Sequence, residues 1–207
     1  MRSRNICELA LTLAGAFAAG NAAAAVDMAA VLEAEYADIR AGLCPSAAVA
    51  GGSGGPAMDD YDAHKVRSAR VFDNLYYVGM DNISAWALTT SEGIILFEAM
   101  MVANWERTIV DGLTTLGLDP ADIKYVVIAH AHNDHWGGAH FLQQRYGAKI
   151  VMGAPDWDHI LTWPQIGTPA PFPAKDRGVS DGDTLTLGDT TVRFVATPGH
   201  TPGTISS

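Results

Sequence analysis

The sequence predicts an α+β fold, and three observations carry that prediction. Short β-branched and aromatic runs, separated by turn residues, follow one another from Ala69 to Glu98. Two segments with apolar residues at helical spacing, 104–116 and 135–146, alternate with the later strands. Between them a bounded apolar run, Tyr125-Val126-Val127-Ile128-Ala129, opens directly onto His130, His132, Asp134 and His135.

The N-terminus is set apart from this fold. Arg2 and Arg4 precede an apolar stretch from Leu9 to Ala19 and the small-residue run Ala22 to Ala25. That is the layout of a secretory signal peptide over residues 1–25, cut after Ala24 or Ala25. The apolar stretch is short for a membrane span. A periplasmic or secreted protein is expected, without stable membrane association after cleavage. Cys7 would leave with the signal, so Cys44 would stand alone and no internal disulfide could form. Within residues 26–69, Leu32, Tyr36, Ile39 and Leu43 share one face of a helix. The stretch Ala50 to Pro56, AGGSGGP, reads as a linker.

The catalytic domain is expected over 70–207. Val71-Phe72 and Leu75 to Val78 flank the turn pair Asp73-Asn74. Ser84 to Thr89 and Gly93 to Glu98 read as a hairpin. Ile109, Leu113 and Leu116 share a helix face, and a second helix is expected from His135 to Tyr146. A strand at Ala148 to Met152 and a short helix at Pro155 to Leu161 follow. Thr162 to Gly178 carries four prolines without periodicity and is a loop. Its Trp163 and Phe172 are read as surface packing, with a place over a substrate as the alternative. Asp181 to Asp183 opens a strand pair that turns at Gly188-Asp189 and ends at His200.

Metal chemistry explains the His-x-His-x-Asp-His spacing. Imidazole and carboxylate are ligands for zinc and related ions. In an extended segment residues two apart point the same way, so His130 and His132 are expected to aim at one ion. Asp134 and His135 lie past the strand end and can face a neighbouring point. This allows a two-metal site, with ions roughly 3.5–4 Å apart. A further histidine, His200, stands inside Thr197-Pro198-Gly199-His200-Thr201-Pro202-Gly203, where constrained backbone on both sides suits a ligand delivered from a loop. His64, His140 and His159 are read as packing or surface residues.

The motifs HAHNDH and TPGHTPGT, with the runs around them from about Arg70 onward, resemble the metallo-β-lactamase superfamily of metal-dependent hydrolases. The resemblance is greatest to the β-lactamase subclass whose first zinc site is all histidine. It implies an αββα four-layer sandwich with the metals at one edge of the sheets. It implies His130, His132 and His200 on a first zinc, and Asp134 and His135 on a second, so one or two zinc ions per chain. Asp134 would also orient the attacking water and so act in catalysis. Family members commonly carry Asp where this chain has Glu98. Its side chain either supports a ligand or is a solvated carboxylate at a strand end. In the family a further half follows His200 and brings the last ligand of the second metal. This chain stops at Ser207, so the C-terminal half is expected to be largely missing.

A formal charge of −10 argues against nucleic-acid and anionic-membrane partners. Charged residues make up 17% and hydrophobic ones 48%, which excludes a disordered chain. The expected partner is a small-molecule substrate. The expected function is zinc-dependent hydrolysis of a β-lactam or a related lactone, ester or thioester by metal-activated water. Its alternatives are a metal-binding chain without turnover, and an iron-dependent redox relative.

Overall fold

The computed structural model describes residues 56–207, which form one compact unit. The expected signal peptide, the helix around Leu32 to Leu43, Cys44 and most of the glycine-rich stretch lie outside the described residues. Among the described residues no helix is long and apolar enough to cross a membrane.

A seven-stranded sheet in chain order is the centre of the unit. Strands β1 (Ala69–Arg70), β2 (Leu75–Tyr77), β3 (Trp86–Thr90) and β4 (Gly93–Phe97) pair antiparallel; β1 lies two residues before the expected Val71-Phe72, whose amides instead close the turn onto Leu75 O. From β4 the sheet becomes parallel through β5 (Ile123–Ile128), β6 (Lys149–Gly153) and β7 (Arg177–Val179). Parallel neighbours need long crossovers, and helices supply them. A short helix α1 (Tyr61–His64) precedes the sheet, and the residue after it, Lys65, bridges Met80. A π-helical turn at Glu106–Val110 runs into α2 (Asp111–Thr115) between β4 and β5. Helices α3 (Asn133–Trp136) and α4 (Ala139–Tyr146) connect β5 to β6, and α5 (Asp156–His159) begins the connection to β7.

The alternation of side chains sorts the core into two layers. Ile94, Leu96, Val126, Ile128, Ile150 and Met152 face the helices, packing with Ile109, Leu113, Trp136 and Leu142. The intervening Ile95, Val127 and Val151 face the other way, toward a hairpin of β8 (Thr184–Leu187) and β9 (Thr190–Arg193). Leu185, Leu187, Val192 and Phe194 close that side. Burial on both faces explains the unbroken apolar runs 94–97, 125–128 and 150–152 within β4, β5 and β6. Helices, main sheet and second sheet are three of the four layers of the expected sandwich.

Two expectations are corrected. The helix expected from His135 to Tyr146 starts earlier, at Asn133, and breaks at Gly137-Gly138. Gly138 N donates to the carbonyls of Ala99 and Met100, and a Cβ on it would lie 2.4 Å from Ala99 O and from Trp105 Cβ. The break is therefore where the helical layer locks onto the end of β4. The second strand of the pair expected to end at His200, read over Thr191 to Val195, also breaks, at Phe194, which pairs with Gly182 and Asp183. The chain resumes as β10 (Val195–Ala196), paired with β11 (Ile205–Ser206) around the loop that bears His200.

Candidate metal centre

The centre lies at the carboxyl end of β5, where a parallel sheet leaves chain ends free to carry ligands. β5 stops at Ile128, so His130 sits in a bend beyond it, while His132, with extended backbone at φ −84° and ψ 142°, is already the cap of α3. They converge nevertheless, with ring centroids 4.8 Å apart and planes nearly perpendicular. Asp134 and His135 belong to the first turn of α3. Two internal bonds shape the bend. The indole of Trp136 donates to Ala131 O at 2.8 Å. His135 O accepts from Ala99 N at 2.7 Å.

His200 arrives from the β10–β11 loop. Ile205 N donates to Ala129 O at 2.9 Å, which ties that hairpin directly to the exit of β5. The His200 ring lies 4.4 Å from that of His130 and 4.6 Å from that of His132.

Two donor groups result. His130, His132 and His200 each offer an atom within 4.8 Å of the others, and so do His130, Asp134 and His135. His130 is common to both. His130 Nε2, His132 Nε2 and Asp134 Oδ1 are buried without a hydrogen-bond partner. Buried polar atoms are ordinarily paired, and a cluster of unpaired donor atoms facing one another is what a cation would satisfy. The residues therefore fit one or two zinc ions.

The electrostatics agree for His130 and His132. Burial, reinforced by the neighbouring His135, pushes the pKa of His130 down to about 3. Burial and the nearby His200 also lower that of His132. Both rings are thus neutral and competent as ligands. For His135 burial acts downward as well, but two carboxylates outweigh it and raise the pKa to about 10. Its Nε2 lies 3.4 Å from Asp134 Oδ2 and its Nδ1 lies 3.1 Å from Glu98 Oε2. The Glu98 contact is too bent for a hydrogen bond, which leaves both atoms unpaired in that sense. It acts as a charge pair. Burial raises the carboxyl of Asp134, but its contact with His135 prevails and holds it below its ordinary value.

Glu98 is not a solvated strand-end carboxylate. It is 9% exposed, its Oε1 accepts from Ala129 N at 3.2 Å, and its backbone is left-handed at φ 70°. One carboxylate so braces both the exit of β5 and the His135 ring. Outer-shell partners of this kind orient ligands, and their loss weakens metal binding about 10–100-fold. Glu98→Ala should lower the affinity of the His135-containing group by that factor in a chelator competition titration. An unchanged affinity would show that Glu98 supports the backbone alone.

Sequence reasoning underrated three other residues. Trp163 is not merely surface packing: its indole lies nearly parallel to the His132 ring, 4.9 Å between centroids, and beside His159 at 5.0 Å. Phe172 stacks on Trp136 at 5.3 Å. Asn133 occupies the unassigned position of the motif, yet its amide clamps the proline-rich loop. Its Nδ2 donates to Ile166 O and its Oδ1 accepts from Ile166 N, both at 2.7 Å. A proline-rich loop with a tryptophan beside a metal motif was the available signal, but no local pattern shows where such a loop docks.

Several known proteins are similar to this chain. One family, described as the metallo-beta-lactamase superfamily, matches residues 78–207. A hydroxyacylglutathione hydrolase of Acidiphilium cryptum is 31% identical over 121 residues, 52% of this chain and 45% of that protein. The N-acyl homoserine lactonase AttM of Agrobacterium fabrum is 30% identical over 113 residues, 49% of this chain and 41% of that protein. Among solved structures, BJP-1, a subclass B3 metallo-β-lactamase of Bradyrhizobium japonicum, is 37% identical with a TM-score of 0.63. The match covers 69% of this chain and 56% of that one. FEZ-1 from Legionella gormanii is 29% identical with a TM-score of 0.61, covering 69% and 57%. The chain spans about half the length of the relatives it matches. On the match over residues 78–207 and the likeness to solved metallo-β-lactamases, this chain belongs to the metallo-β-lactamase superfamily.

Proposed function

We propose that the protein is a zinc-dependent hydrolase and that its substrate is a β-lactam. The observation that carries the hydrolase reading is the pair of donor groups sharing His130, with unpaired ligand atoms turned toward one another. His130, His132 and His200 would hold one ion; Asp134 and His135, with His130 close by, would hold the other. Bound zinc supplies a Lewis acid that lowers the pKa of water to about 7 and polarises the substrate oxygen. The chain's own residues do the rest. Asp134, besides holding metal, would accept a hydrogen bond from the attacking water and orient it. Glu98 holds the His135 ring in place. Trp163, which is 42% exposed, lies over His132 and keeps bulk water from that side. This scheme requires no serine or cysteine nucleophile.

The β-lactam substrate is supported by the motif resemblance and by the likeness to BJP-1, a β-lactamase. A second reading, thioester hydrolysis, is favoured by the hydroxyacylglutathione hydrolases among the relatives. Export to the periplasm is part of the proposal and rests on the signal-like first 25 residues. The test is to strip the purified protein with chelator, reload it with zinc or with iron(II), and assay nitrocefin beside a glutathione thioester. Nitrocefin turnover restored by zinc supports the proposal. Thioester turnover without nitrocefin turnover would replace the substrate. Restoration by iron alone would overturn the zinc reading.

A further inference from the structure

His200 differs from the other ligands in its support. His130 and His132 are anchored by the sheet end and Asp134 and His135 by a helix, whereas His200 is an exposed residue on an eight-residue loop between two short strands. Yet it must hold its ring within a few ångströms of two buried histidines. A buried carboxylate elsewhere in the chain accounts for this.

Asp156, the first residue of α5, has 0% exposure. A buried charge is costly unless its oxygens are occupied. Both are. Oδ2 accepts from Thr201 Oγ1 at 2.6 Å, and Oδ1 accepts from Gly203 N at 2.7 Å. Both partners lie on the His200 loop, one and three residues past the ligand. Thr201 is itself buried, and its N donates to Thr204 Oγ1 at 3.0 Å, which tightens the turn. The approach is close. A Cβ on Gly203 would lie 2.6 Å from Asp156 N, and one on Gly153 would lie 1.9 Å from Gly203 O. Glycine at both positions is what lets the loop press into the corner between β6 and α5.

We propose that Asp156 is the positioning residue for His200: its two-pronged grip on Thr201 and Gly203 delivers the exposed imidazole to the His130–His132 pair. The proposal rests on the metal-centre reading above. It concerns metal binding and is independent of the substrate.

The test measures zinc affinity by chelator competition on the full chain, with melting temperature followed alongside. Asp156→Ala should weaken the ion held by His130, His132 and His200 about 10–100-fold, the range for loss of an outer-shell partner. Asp156→Asn, which keeps one acceptor for Gly203 N, should recover most of that loss. In a His200→Ala background, Asp156→Ala should cause no further weakening, because the residue acts through His200. A merely structural role predicts an added loss there, and that result would overturn the proposal. Should Asp156→Ala fail to fold, Thr201→Val removes one prong alone and should still weaken the ion several-fold; unchanged affinity in a folded Thr201→Val would also overturn it. If His200→Ala itself leaves affinity unchanged, the metal-centre reading falls and the proposal with it. If His200→Ala weakens binding and Asp156→Ala does not, the proposal falls alone.

Discussion

Replacing His130 by alanine should remove both metal ions, and with them all measurable hydrolysis. His130 is the one residue common to the two donor groups, and it is 7% exposed, so water cannot readily stand in for its ring. Metal polarisation contributes several kcal/mol to such reactions, and about 1.4 kcal/mol is a factor of ten in rate. A loss of about 10³-fold or more in kcat/KM follows. His200→Ala provides the contrast. It leaves the group of His130, Asp134 and His135 intact, so it should retain about one ion where His130→Ala retains none. Metal content by mass spectrometry distinguishes the two, with circular dichroism confirming the fold. Equal metal loss in both variants would mean that the groups do not share His130 as their geometry indicates.

Trp136→Ala should produce the largest loss of stability for one substitution in the described region. The side chain is 1% exposed, and it belongs to the core on the helical side of the sheet. Truncating a buried tryptophan costs about 3–5 kcal/mol. The indole bond to Ala131 O goes too, leaving that carbonyl unpaired among buried atoms. For a chain of this size each kcal/mol lowers Tm by about 2–4 °C, so a fall of roughly 10 °C is expected. Trp136→Phe keeps most of the volume and loses the hydrogen bond, at a cost of about 1–2 kcal/mol. Because Ala131 lies between His130 and His132, the Phe variant should also bind zinc more weakly. A Tm shift below about 3 °C for Trp136→Ala would show that Phe172 and the surrounding loop collapse into the space.

Much of the site was legible in the chain. The six residues from His130 to His135 hold four of the five proposed ligands, so their convergence depends on one bend and one helical turn. The strand before them and the antiparallel hairpins from β1 to β4 followed from periodicity and turn residues, which act over a few positions. The fourth histidine was recognisable from the prolines and glycines around it. The geometry assumed for His130 and His132 was not correct, because β5 ends at Ile128, four residues short of His132, and the chain bends between them. Their convergence comes from the bend held by Trp136 and not from strand alternation.

What the sequence by itself determined is the chemistry: which side chains offer metal-ligating atoms, and the core pattern that puts a strand behind them. That information is local, and local spacing encodes it. Only the tertiary structure decided how the ligands are held. Glu98 reaches Ala129 across 31 residues, Asn133 reaches Ile166 across 33, and Asp156 reaches Thr201 across 45. Each contact is made because the parallel sheet brings the ends of β4, β5 and β6 side by side, so that buried carboxylates and amides must find partners on neighbouring loops. No pattern along the chain records such pairings, since burial creates the need for them and the packing of distant segments chooses the partner.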